Sequence, residues 1–225
     1  MEINRKAHYN KQGLYVGYDK NNKEREALDY YSTPTKEVLN ILEILDIDFS
    51  NTTILEPCAG GGHMLLGIQQ YLDNKDCVGV GVSATDIQKR ELCSSLLNIR
   101  TGKDYDFLSE NYPYSNNIDY IIMNPPYSVI EPFVMKALGI ANKGIIMLGR
   151  LQFLEGEKRY ENILKKNPPT DVYIYVDRIA CYKNGDISKK QSSAQAYAWF
   201  VWNFEKEDTE KSEIHFIRRE DKRED

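Results

Sequence analysis

Residues 52–64, TTILEPCAGGGHM, carry a short apolar run into a polar turn, three consecutive glycines and the start of a helical period. Thr52 to Pro57 show no strict apolar–polar alternation, which is the pattern of a strand buried on both faces. Gly60, Gly61 and Gly62 let the backbone bend tightly and come close to a ligand. A strand, a glycine-rich turn and a helix in that order form the opening unit of an open α/β fold. In such folds ligands bind beyond the carboxyl ends of the strands.

The same alternation runs on either side. Upstream, STPTKEVLNILEILDI places Val38, Leu39, Ile41, Leu42 and Leu45 at helical spacing, with Thr33 as the expected N-cap and Pro34 at the first helical position. Downstream, strands are expected at 77–87, 99–109, 118–127, 143–150, 171–178 and 196–204. Helices are expected at 89–98, 129–142 and 155–167. The expectation is a Rossmann-like α/β fold: a mostly parallel, seven-stranded sheet with helices on both faces, its last two strands an antiparallel pair at one edge. Residues 1–28 read as an N-terminal arm, 29–204 as the catalytic domain, and 205–225 as a charge-dense, solvated and partly disordered tail.

Composition narrows the class. The chain has 225 residues, 41% of them hydrophobic, the usual content of a globular domain. No apolar run approaches the ~20 residues of a membrane helix, and the polar N-terminus lacks an apolar signal region, so no membrane association and a cytoplasmic location are expected. Four scattered cysteines and three histidines show no metal-ligand spacing, which excludes a recognisable zinc motif. The net charge of −5 argues against a purely electrostatic nucleic-acid binder, although residues 150–195 lean basic.

Three strand ends carry suggestive residues: EPCAGGG, TDI and NPPY. The glycine turn lacks the full G-x-G-x-x-G spacing and lacks the GK[ST] of a phosphate loop, so nucleotide phosphates are not its natural guest. Asp86, ending the second strand, can accept hydrogen bonds from ribose hydroxyls. Together the turn and Asp86 point to a nucleoside-bearing cofactor; a plain tight turn with a surface aspartate is the bland alternative. The helix start at Thr33-Pro34 can hold a carboxylate or can be a simple cap. In DYIIMNPPYS, residues 119–128, an apolar strand ends in Asn124, two prolines and Tyr127. Adjacent prolines fix two φ angles and stiffen the turn that presents the amide and the ring.

These motifs resemble the S-adenosylmethionine-dependent adenine-N6 DNA methyltransferases, within the wider group of amino-methyltransferases that share NPPY. LEPCAGGG is similar to their cofactor loop, YYSTPTKEV to the segment before it, and YDFLS to their third cofactor motif, in an order similar to the γ-type arrangement. The resemblance implies S-adenosyl-L-methionine as cofactor, with Tyr31, Thr33 and Pro34 at its amino-acid end and Glu56, Pro57, Ala59, Gly60 and Gly62 lining its loop. Asp86 would bind the ribose, Ile87 would pack on the adenine, and Asp106 and Phe107 would accept from and flank it. Asn124, Pro125, Pro126 and Tyr127 would form the catalytic loop. The Asn124 side-chain oxygen and the Pro125 carbonyl would each accept one N–H of the target amine, and Tyr127 would stack on the flipped base. Because Asn124 is no general base, transfer would be direct and organised by alignment.

The likeness thins at specificity. Only 16 residues separate Phe107 from Asn124, too few for a recognition domain. The loop 178–195 is the remaining candidate, with Arg178, Lys183 and Asn184, joined by Arg150, to position phosphates and read base edges. DNA is the expected partner, with a further subunit as a source of specificity. An RNA or protein-glutamine amino-methyltransferase shares NPPY, and a non-catalytic nucleic-acid-binding subunit could share the fold.

Overall fold

The computed structural model describes residues 30–183, 195–206 and 211–219, together with two short strands near the N-terminus. The elements in chain order are β1 (His8–Tyr9), β2 (Tyr15–Gly17), β3 (Tyr31–Ser32), α1 (Thr35–Leu45), β4 (Thr53–Glu56), α2 (His63–Asn74), β5 (Gly81–Asp86), β6 (Arg100–Thr101), β7 (Ile118–Met123), α3 (Ile130–Ile140) and β8 (Ala141–Arg150). A helical turn at Glu157–Arg159 continues as a π-helix, Tyr160–Leu164, and is followed by β9 (Asp171–Tyr175), β10 (Tyr182–Lys183), β11 (Tyr197–Asn203) and β12 (Glu213–Ile217).

Eight strands form one sheet in the order β12–β9–β11–β8–β7–β4–β5–β6. The run from β6 to β8 is parallel, while β11 lies antiparallel to both β8 and β9. The chain leaves β4 toward β5 and β6, then crosses back to β7 on the other side. This reversal opens a crevice at the carboxyl ends of β4 and β7, where such sheets bind ligands.

Every central strand divides its side chains between two apolar cores. Ile54, Tyr120, Ile122, Ile146, Leu148, Trp199 and Val201 face α1 and α2. Their neighbours Leu55, Ile121, Met123, Ile145, Met147, Ala198, Phe200 and Trp202 face α3, through Phe133, Val134 and Ala137. Burial on both faces explains the unbroken apolar strands of the sequence. Helices α1 and α2 pack closely at Gly67, where a Cβ would stand 2.7 Å from Val38 Cβ.

Two expectations need correction. The sheet has eight strands rather than seven, because residues 213–217, within the charge-dense C-terminal segment, pair in parallel with β9. Their charges are not simply solvated. Lys206 Nζ lies 3.1 Å from Asp171 and 2.9 Å from Glu213, His215 Nε2 lies 3.0 Å from Asp171, and the His215 ring stacks on Tyr173 with centroids 4.4 Å apart. An edge strand needs pairing on one side only, so a polar sequence can supply it. The helix expected at 89–98 is irregular chain instead. Its backbone is committed to the glycine turn, with Cys93 N–H donating to Gly61 O at 2.9 Å, and Leu97 packs against Gly62. The Ser94 hydroxyl accepts from Leu96 N–H, a local bond that competes with helix formation. Among the described residues no helix is long and apolar enough to cross a membrane.

Candidate functional site

The βα turn after β4 sits at the sheet reversal. Gly60 and Gly62 have φ of 56° and 86°, left-handed values that favour glycine. Asp86, at the end of β5, accepts from Gly60 N–H through one oxygen and from Gln88 N–H through the other, each at 2.8 Å. It thus holds the turn while keeping spare lone pairs on both oxygens. Glu56 ends β4, is 2% exposed, and leaves Oε2 without a hydrogen-bond partner among the described residues. Burial, reinforced by the nearby Asp86 charge, pushes the Glu56 carboxyl up to about 8. Asp86 is raised too, by burial, against the opposing N–H bonds of Gln88 and Gly60.

Asn124 follows β7 and reaches across the crevice. Its amide Nδ2 donates to the Tyr31 carbonyl and to Thr33 Oγ1, both at 3.0 Å. A carbonyl can only accept, so these partners identify which end of the amide is nitrogen. The opposite atom, Oδ1, is buried and has no partner among the described residues. Thr33 is therefore not the N-cap expected from the sequence. Pro34 takes that position without a side-chain cap bond, and the Thr33 hydroxyl serves Asn124.

Tyr31, Thr33, Glu56, Ala59 and Asn124 line one small cavity of about 10 Å³, together with Tyr30 and His63. Pro57 is buried in the turn between Glu56 and Ala59, and Pro34 stands at the start of α1. Tyr30 covers the glycine turn: Gly61 N–H donates to its hydroxyl at 2.8 Å, and a Cβ on Gly60 would lie 2.1 Å from its ring. The Arg90 guanidinium sits over the Tyr30 ring, 4.4 Å from its centroid. Tyr30 is a site residue to which the resemblance assigns no role; its sequence signal is that it opens the YYSTPTKEV segment. A larger cavity, about 280 Å³, is lined by Leu65, Ser83, Leu96, Arg100 and Tyr114 and contains none of the strand-end carboxylates or Asn124.

Other candidates take different places. Ile87 is half-exposed just beyond β5. Asp106 accepts from Leu108 N–H at 3.0 Å. Phe107 is 2% exposed and packs in the α3-side core on Phe133 and Tyr112, not at an open face of the crevice. Pro125 is buried and Pro126 half-buried, and the Pro126 carbonyl accepts from Val129 N–H at 3.0 Å. Tyr127 is already engaged: its hydroxyl donates to Tyr197 Oη at 3.1 Å, its ring lies 5.5 Å from the Tyr31 ring, and the Arg150 guanidinium is 4.1 Å from its centroid. Arg178 is exposed, and Lys183 pairs through its backbone with Tyr31. Asn184 and most of the 178–195 loop lie outside the described residues.

No family model and no curated protein matches the chain. Solved structures do. One described as a class I S-adenosylmethionine-dependent methyltransferase from Listeria monocytogenes superposes with a TM-score of 0.60 at 12% identity, covering 83% of this chain and 65% of its own. A type I restriction-modification methyltransferase subunit from Streptococcus thermophilus gives 0.58 at 15%, covering 85% of this chain and 48% of its own. A protein described as an RNA methyltransferase from Pyrococcus horikoshii gives 0.51 at 16%, covering 82% and 90%. The chain thus has the fold of the class I S-adenosylmethionine-dependent methyltransferases. It spans between about half and two-thirds of the length of the first two.

Proposed function

We propose that this chain transfers a methyl group from S-adenosyl-L-methionine to the exocyclic N6 amine of adenine in DNA. The observation that carries the reading is Asn124 Oδ1, a buried acceptor without a partner whose orientation is set by two bonds to the other end of the amide. A buried polar atom left unpaired costs about 1–3 kcal/mol, so the site is built to receive a donor. An amine N–H is such a donor.

The residues at the crevice suit the cofactor. A glycine turn without a lysine fits a nucleoside that carries no phosphates. Asp86 has lone pairs left for ribose hydroxyls, and Glu56 is a buried acid able to face a cationic amino-acid end. When bound, S-adenosyl-L-methionine supplies an electrophilic methyl on a positively charged sulfur. Asn124 holds the target nitrogen by one N–H, and the stiff Pro125-Pro126 backbone keeps that acceptor from relaxing. With the amine aligned by Asn124, its lone pair would form the new N–C bond as the methyl–sulfur bond breaks and leaves a neutral thioether. The extra proton on the product amine then leaves to water. Alignment supplies the rate advantage, because Asn124 takes no proton.

The cavity beside Asn124 is far smaller than a nucleoside, so cofactor entry requires the Tyr30 side chain to move off the glycine turn, while Tyr31 and Thr33 keep their bonds to Asn124. The presence of a type I restriction-modification methyltransferase subunit among the structural neighbours supports a partner subunit as a source of sequence specificity. The RNA reading has its own support in the Pyrococcus neighbour, which matches along most of its length. Labelled methyl transfer to double-stranded DNA, single-stranded DNA and RNA, with nucleosides read by mass spectrometry, decides between them. N6-methyladenine in DNA is expected. Label confined to RNA moves the acceptor, and measurable cofactor binding with no label in any nucleic acid sinks the reading.

A further inference from the structure

Arg150 ends β8, beside the loop that ends β7, and pairs across the sheet with Tyr197 of β11. It is half-buried, with its guanidinium stacked 4.1 Å from the Tyr127 centroid. Its Nε is buried and makes no hydrogen bond among the described residues. None of the ion pairs among the described residues involves it.

The guanidinium acts on three neutral groups, and the Tyr197 hydroxyl accepts a hydrogen bond from it. The Tyr127 hydroxyl, the Tyr197 hydroxyl and the Cys181 thiol are all raised by burial, the thiol to about 12. Arginine keeps its charge at any working pH. A partly desolvated cation without an anion is a costly arrangement for a folded chain to keep, unless a ligand brings the anion. The planar fork of a guanidinium matches a phosphate particularly well. Tyr31, whose ring lies 5.5 Å from that of Tyr127, is held here by its strand pairing with Lys183.

Resting on the methyl-transfer reading above, we propose that Arg150 binds the phosphodiester next to the target nucleotide. The acceptor is then a polynucleotide and not a protein amide, with the guanidinium, held against Tyr127, placing the backbone of the target nucleotide. Arg150 is a positioning residue and does not touch the reacting atoms.

The test reads binding and does not depend on turnover. A fluorescent DNA oligonucleotide with a single adenine is titrated by anisotropy, with its flanking phosphates either natural or replaced by neutral methylphosphonates. With the native protein, neutralising the phosphates is expected to weaken binding about tenfold, the scale of one charge-assisted hydrogen bond. Arg150→Gln should weaken binding of the natural oligonucleotide equally, lower the slope of log K against log salt by about one, and respond no further to methylphosphonate. Arg150→Lys should keep the salt slope. An RNA oligonucleotide bound more tightly with the same penalty would support the contact and name RNA as the phosphate source. Indifference of the native protein to methylphosphonate overturns the proposal, and so does the absence of oligonucleotide binding. Equal losses of Arg150→Gln on charged and neutral oligonucleotides also overturn it, by reducing Arg150 to a support for Tyr127. The methylphosphonate arm uses only native protein, so misfolding of a variant does not blur it. Oligonucleotide binding with the phosphate penalty but without methylation sinks the methyl-transfer reading alone.

Discussion

Asn124 Nδ2 donates to the Thr33 hydroxyl at 3.0 Å although 91 positions separate the two residues in the chain. The bond joins the loop after β7 to the segment before α1 and, with the Tyr31 carbonyl, allows the amide one orientation. Thr33→Val removes the hydroxyl at nearly constant volume. We expect methyl transfer to slow about tenfold, the value of roughly one hydrogen bond, with cofactor affinity little changed. Asn124→Ala should cost more, about 10²–10³ in turnover, as for other lost transition-state partners. Single-turnover rates paired with calorimetric cofactor binding check both; wild-type turnover in Asn124→Ala contradicts the mechanism.

Gly62→Ala forces a side chain onto a φ of 86° and puts its Cβ 2.3 Å from Leu97 Cδ1. The expected loss is about 1–3 kcal/mol of stability, seen in a denaturant melt. Adding Leu97→Ala should relieve the contact but not the backbone strain, so recovery should be partial. Full recovery would show that the contact alone mattered.

Glu56 makes the protein less stable as the pH rises. Its folded carboxyl sits near 8, above the ordinary carboxylate value of 4.5, so over that interval the unfolded chain binds fewer protons than the folded one. Stability is full below about 4.5, falls between there and 8, and levels off above. Glu56→Gln should flatten this slope and raise the melting midpoint at pH 8 relative to wild type. Asp86, also raised, leaves a smaller residual slope of the same sign. A steeper decline in Glu56→Gln would refute the assignment.

Trp199 Nε1 donates to Tyr175 Oη at 2.9 Å in the core under α1. Tyr175→Phe keeps the ring and strands the indole donor, which should cost about 1–3 kcal/mol. A chemical-denaturation midpoint unchanged from wild type would mean that another acceptor replaces the lost hydroxyl.

The parts legible in the sequence are those set by short-range rules. Residues 118–123 had to be a strand because nearly every side chain is apolar and both faces are covered. The prolines after Asn124 stop that strand at a defined residue, and Gly60 and Gly62 mark positive φ. Asp86 could be placed because it ends a strand. The segment at 89–98 misled because Leu92, Leu96 and Leu97 suggest a helix, whereas the backbone bonds the glycine turn instead. Thr33 misled because capping is the common use of a hydroxyl before a helix, and its true partner lies far away in the chain.

By itself, then, the sequence determined the alternation of strands and helices, the stiff Asn124–Tyr127 turn and the glycine-rich cradle, because each depends on neighbouring residues and backbone dihedrals. Only the tertiary structure decided that Thr33 orients Asn124, that Tyr30 covers the cradle, that Arg150 stacks on Tyr127, and that β12 completes the sheet. Those four are contacts between distant segments, and no local periodicity encodes which long-range partner a polar side chain or an edge strand will meet.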